Sequence, residues 1–215
     1  MNFILFMLFT IIIFMLALIG YKKFHSSTLY ALAIGGIVNA NFFHAGLYPI
    51  NCFGLPFGID SIIYTLFVFC VILMFFQQGK KSAYTLAISS VVAILFSAIM
   101  QLIAELFTTG SQSTTWFTFL TFFVSAAASI IAIVITLEIL DKIKDKTNNY
   151  IKLIVGLLLH TLINTAIYYP LSMLINGTPS NIGLLVLASF IGKLIATICA
   201  IFTLFLLHKL NKRSY

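Results

Sequence analysis

His160 and Asn164 stand four residues apart in an apolar run, with Thr161 and Thr165 beside them. Residues four apart share a helical face, so an imidazole and an amide would project together near the middle of one segment. A further run holds Lys193, well before the basic tail. An ammonium in hydrocarbon is costly unless it faces a bundle interior or a water-filled cavity with a carboxylate or carbonyl partner. Lys193 is therefore the first candidate for function, binding an anionic or carbonyl-bearing solute or gating through an ion pair. Asn39, Asn41 and His44 lie in N-A-N-F-F-H-A-G; Asn39 and Asn41 point different ways, whereas Asn41 and His44 share a face. Gln101 and Glu105 form another pair four apart, with Ser97 one turn earlier. Glu105 reads either as a carboxylate reaching the outer surface or as a buried acid that pairs with Lys193 or binds a proton. Amides and imidazoles also hydrogen-bond helices together, typically for about 0.6 kcal/mol each.

This inventory favours binding over covalent chemistry. G-x-S-x-G, H-E-x-x-H and paired-glutamate motifs are absent from the sequence, and intramembrane hydrolysis would need such a nucleophile or metal set. His44 and His160 together would still need a third metal ligand. No enzyme activity, metal or cofactor is expected.

The elements that position these residues follow from composition. The chain is 61% hydrophobic and 8% charged, with a mean hydropathy of +1.13, against roughly 25% charge in soluble domains. Such a chain cannot surround a core with a wettable surface. It reads as a single membrane domain over residues 1–215. Seven stretches suit a helix that crosses the bilayer with roughly 20 apolar residues: Phe3–Tyr21, Thr28–Tyr48, Asp60–Phe76, Ala83–Phe107, Trp116–Leu140, Ile151–Leu174 and Asn181–Leu207. They lack the alternation of barrel strands, and backbone groups in lipid need internal partners. The expected fold is thus an all-α polytopic bundle of about seven transmembrane helices.

The net charge of +7 does not imply nucleic acid, because its source is segregated. Lys22 and Lys23, Lys80 and Lys81, Lys142 to Lys152, and Lys209 to Arg213 occupy every second loop and the tail. Loops enriched in Lys and Arg face the cytoplasm. The N-terminus is therefore expected outside and the C-terminus inside, in a multi-pass protein of the cell membrane. The first span has no basic n-region or A-x-A-like site and reads as an uncleaved helix. Glu138, Asp141 and Asp145 are expected as solvated partners of the lysines. Cys70 and Cys199 read as packing residues, and Cys52 lies in an outer loop without an obvious partner. That loop, Y-P-I-N-C-F-G-L-P-F-G, reads as a cap over a cavity or as a surface turn. Ser125-Ala126-Ala127-Ala128-Ser129 with Ala132 gives the fifth helix a thin face for close packing.

From Gly58 onward the chain resembles the VUT family of queuosine-precursor transporters, also described as vitamin uptake transporters. Y-T-L-F-V-F-C-V-I-L-M-F-F-Q-Q-G-K-K-S-A aligns without a gap to the family's Y-P-L-T-F…D…E-x-Y-G-x-x-x-A run, with Gly79, Lys80 and Ala83 matching. A-S-I-I-A followed by L-D-K-I-K-D-K-T is similar to the family's A-S-x-x-A helix and its basic exit. L-I-N-T-A-I-Y stands where the family tends to have L-I-D-T-x-I-F. Lys193 falls where the family's last helix carries an intramembrane Lys. Family acids of the third helix fall on Ile72 and Phe76, the helix-six Asp on Asn164, and a Gln and an Asp of helix five on Leu137 and Leu140. One helix, within residues 1–27, precedes the family's six, which would occupy residues 28–215.

The resemblance implies a transporter importing a small polar solute, such as a queuosine precursor or another 7-deazapurine or vitamin-like compound. Expected partners are the lipid bilayer, that solute, and an energising module or a second copy of the chain. The alternatives are a substrate-binding S-component of an energy-coupling-factor vitamin transporter, or an accessory membrane protein that transports nothing. The expected solute contacts are Asn39, Asn41, His44, Gln101, Glu105, His160, Asn164 and Lys193.

Overall fold

The computed structural model describes residues 2–42, 50–52, 55–57, 60–108, 112–143, 148–176 and 182–212. These form seven helices: α1 (Asn2–Phe24), α2 (Ser26–Phe42), α3 (Asp60–Gln78), α4 (Lys80–Thr108), α5 (Gln112–Lys142), α6 (Asn149–Asn176) and α7 (Ile182–Lys212). All except α2 are long and apolar enough to cross a membrane. The protein is a membrane helix bundle, as composition requires. Helix α2 has 17 described residues, at the short end of what can span; the rest of its expected span, residues 43–49, lies outside the described residues.

The apolar loop before α3 carries a short ribbon. β1 (Ile50–Cys52) pairs antiparallel with β2 (Leu55–Phe57), with Ile50 opposite Phe57, Asn51 opposite Pro56 and Cys52 opposite Leu55. β1 packs on α1 and β2 on α7. The ribbon thus touches both α1 and α7. A two-stranded ribbon leaves its proline an unpaired edge, where a missing N–H does no harm.

Helix α3 is the hub, packing against α2, α4, α6 and α7. Of its most apolar window, 72% is buried, against 22% for α1. On α1 only one stripe, Phe6, Thr10, Phe14 and Ala17, turns inward, while Ile4, Leu8, Ile12 and Leu16 are exposed on the other side. In a bilayer that exposed face meets acyl chains. Phe14 stands edge-on to Phe69 of α3 at 5.1 Å and 84°, a favoured arrangement for aromatic rings.

The short turns have local causes. Gly79, at φ 86°, ends α3, and its N–H donates to the Phe75 carbonyl at 3.0 Å; only glycine adopts this left-handed conformation freely. Gly20 lets α1 and α2 meet closely. A Cβ there would lie 2.8 Å from Thr28 Cγ2, and the Thr28 hydroxyl donates to the Gly20 carbonyl at 2.9 Å.

Candidate functional site

Helix α6 builds the polar interior by strict repetition. Lys152–Leu153, Gly156–Leu157, His160–Thr161 and Asn164–Thr165 are all buried, in pairs every four residues. That spacing places them in one stripe along the helix, facing α3, α5 and α7, the neighbours of α6. The bundle therefore collects the polar face that the sequence concealed among leucines.

Lys193 comes to this stripe from α7. It is 9% exposed, and its ammonium donates to Asn164 Oδ1 at 3.0 Å. The Asn164 amide nitrogen donates in turn to Ser129 Oγ of α5 at 3.2 Å. The same ammonium lies 5.9 Å from the centre of the Tyr64 ring of α3, near the outer limit of a cation–π contact. The Tyr64 hydroxyl is hydrogen-bonded to Ser125 Oγ at 2.7 Å. Two serines of the thin α5 face thus hold the amide and the ring that receive the lysine. Small residues at 125–132 let α5 approach closely, and their hydroxyls then become usable.

These groups surround a small chamber lined by Tyr64, Thr65, Val68, Leu157, His160, Thr161 and Lys193, with about 10 Å³ open to the centre of a water-sized sphere. That is room for roughly one water. His160 is 4% exposed, and among the described residues its Nε2 has no hydrogen-bond partner; nor does Thr165 Oγ1. Buried polar atoms normally find partners, so each exception calls for a cause. An ammonium has three donors, and the Asn164 carbonyl accepts from it in the structure. The chamber therefore offers ammonium donors, an imidazole nitrogen and an aromatic face.

The expected site residues separate into groups. His160, Asn164 and Lys193 come together as described. Asn39 is exposed, and its amide nitrogen returns to the Gly35 carbonyl at 2.7 Å, a bond within its own helix. Gln101 is half-buried on α4. His44 and the side chains of Asn41 and Glu105 lie outside the described residues. Of the carboxylate or carbonyl partner expected for Lys193, the structure has the carbonyl of the Asn164 amide. Among the described residues no cluster of three metal-ligating side chains occurs.

Sequence reasoning passed over Tyr64, Ser125, Ser129 and Asp60. Asp60 opens α3, caps the Ser61 amide at 2.9 Å and is the acid whose charge bears on Lys193. A usable signal was present: Asp60, Tyr64 and Val68 share one face at four-residue spacing.

At the Lys-rich end, Lys80 pairs with Glu138 at 2.8 Å and Asp141 at 3.5 Å, and the Tyr84 hydroxyl donates to Glu138 at 2.9 Å. Glu138 and Asp141 thus partner a lysine as expected. Lys152 departs from expectation: it is 7% exposed inside the first turn of α6, although its sequence position groups it with loop lysines.

Comparison with family models, curated proteins and solved structures finds no match.

Proposed function

We propose that this protein is a membrane transporter for a small polar solute, held between α3, α5, α6 and α7 by Lys193, His160 and Asn164. The observation that carries the reading is Lys193, buried in the middle of a spanning helix against a neutral amide at 3.0 Å. Burying a charge is expensive, and a carbonyl acceptor compensates less than a carboxylate would. A purely structural bundle would fold better with methionine there. A solute that brings a carbonyl or anionic group to the ammonium would compensate it further, and His160 beside it has a nitrogen with no partner among the described residues.

The resemblance of α3, α5 and α6 to queuosine-precursor transporters selects the first solutes to test: 7-deazapurine bases, and then vitamins of similar size. Such planar bases carry carbonyl and ring-nitrogen acceptors and a face to stack on Tyr64. The experiment is uptake of these compounds into vesicles holding the purified chain alone, with Lys193→Met as the comparison. Uptake that depends on Lys193 supports a self-sufficient transporter. Binding without uptake, restored by an added energising module, would indicate a substrate-capture subunit. Equal uptake by Lys193→Met would remove the lysine from the mechanism.

A further inference from the structure

A second cavity of about 330 Å³ lies at the Lys-rich end, where Lys80, Asp141, Asn149, Lys152 and Phe76 are among its walls. That is the size of a small-ligand pocket. Its chemistry repeats that of the Lys193 chamber. There a buried lysine lines the chamber with the Tyr64 ring, the ammonium 5.9 Å from the ring centre, and Asn164 behind it accepts from the ammonium. In the second cavity a buried lysine, Lys152, stands 5.8 Å from the centre of the Phe76 ring, and Asn149 lines the same wall. Both sets use one ring from α3 and one asparagine from α6. They differ in size, about 10 Å³ against about 330 Å³.

The two cavities also share an axis. Along α6, Lys152 and His160 are eight residues apart, or about 12 Å of rise. Between them sits Gly156, where an added Cβ would lie 2.8 Å from Ile72 Cδ1 of α3 and 3.0 Å from Leu140 Cδ1 of α5. The separation thus includes the tips of two flexible side chains closing on a glycine. Such tips can turn aside when helices part by a small amount.

We propose that the larger cavity is a second binding station for the same class of solute, one bearing an anionic or carbonyl group, and that Ile72 and Leu140 closing on Gly156 form the gate between the two stations. The proposal rests on the transporter reading above and gives the solute a route along the α3–α6 seam. Lys152 and Asn149 receive the solute after Lys193 and Asn164 release it, or the reverse.

The test needs no identified solute, so it can fail while the transporter reading survives. In full-length protein with Cys52, Cys70 and Cys199 replaced by alanine, one cysteine is placed at Asn149 (N149C) or Thr161 (T161C) and the protein is put in bilayers. Methanethiosulfonates carrying a sulfonate or a trimethylammonium group are applied from the Lys-rich side, with rates normalised to a free thiol. N149C should react about tenfold faster with the sulfonate, as expected where the Lys152 ammonium lies in the same wall and draws anions, and Lys152→Met should erase that preference. T161C should be unreactive in the parent and become reactive with Ile72→Ala, or with Leu140→Ala if the first variant misfolds, while N149C still reacts as before. An N149C indifferent to reagent charge overturns the station. A T161C that is reactive in the parent, or silent with both gate variants folded, overturns the gate. Protection of N149C in phosphatidylglycerol bilayers but not in phosphatidylcholine would assign the cavity to a lipid headgroup and overturn the solute station.

Discussion

Lys80 and Lys193 solve opposite problems. Lys80 stands at the membrane edge, its side chain 33% exposed, between the carboxylates of Glu138 and Asp141. Exposed ion pairs of this kind contribute little, because water solvates the separated charges nearly as well. Lys193 is buried, and its direct partner is the Asn164 amide. The lysine with two acids is thus the one that water could also satisfy, while the buried one leans on an amide and a ring. Replacing the interior lysine should therefore have consequences that replacing the edge lysine does not.

The largest expected effect concerns the side on which each lysine lies. A reporter fused after Tyr215 should read cytoplasmic and one inserted at Ser113 external, since Lys-rich loops stay inside. The same side for both would break the seven-helix arrangement and with it the contrast between edge and interior. Next, Lys193→Met should abolish solute uptake yet leave insertion intact and thermal stability equal or higher, because it removes a buried charge at constant volume. Paired with it, Lys80→Met should leave uptake unchanged; equal damage from both substitutions would erase the distinction.

Asn164→Leu should destabilise the protein by about 1–3 kcal/mol, the cost of stranding a buried charged donor. Most of that loss should vanish in the Lys193→Met background. A double-mutant cycle by thermal unfolding in detergent measures the coupling, and additive losses would mean that the 3.0 Å contact carries no energy. Ser129→Ala should cost less, about 0.6 kcal/mol, as typical hydrogen bonds between membrane helices do. A loss as large as that of Asn164→Leu would make Ser129 an essential part of the lysine's support.

How much of the site was legible varies by residue. His160 and Asn164 announced themselves because polar groups stand out against leucine and their spacing gives a shared face. Lys193 was visible for the same reason, and a carbonyl partner was expected for it, which Asn164 supplies. Ser125 and Ser129 were visible only as small residues. Whether a serine packs or bonds depends on what a neighbouring helix presents to it, and Tyr64 and Asn164 come from 61 and 35 residues away in sequence. Lys152 was misread because sequence position places it beside a loop. Only the packing of α6 against Phe76 on α3 turns it inward.

Sequence by itself determined the bundle. Hydrocarbon leaves unsatisfied backbone groups no partner but their own chain, so long apolar runs with few charges must be helices, and their lengths and loop charges follow from composition. Tertiary structure decided which helices neighbour one another, and so which polar residues meet. In lipid all helix faces are nearly equally apolar, and the hydrophobic effect that orients helices in water has little to act on. Close packing around Gly156 and the serines of α5 selects the arrangement instead. Such fits depend on pairs of surfaces, and a single sequence read along its length does not contain the pairing.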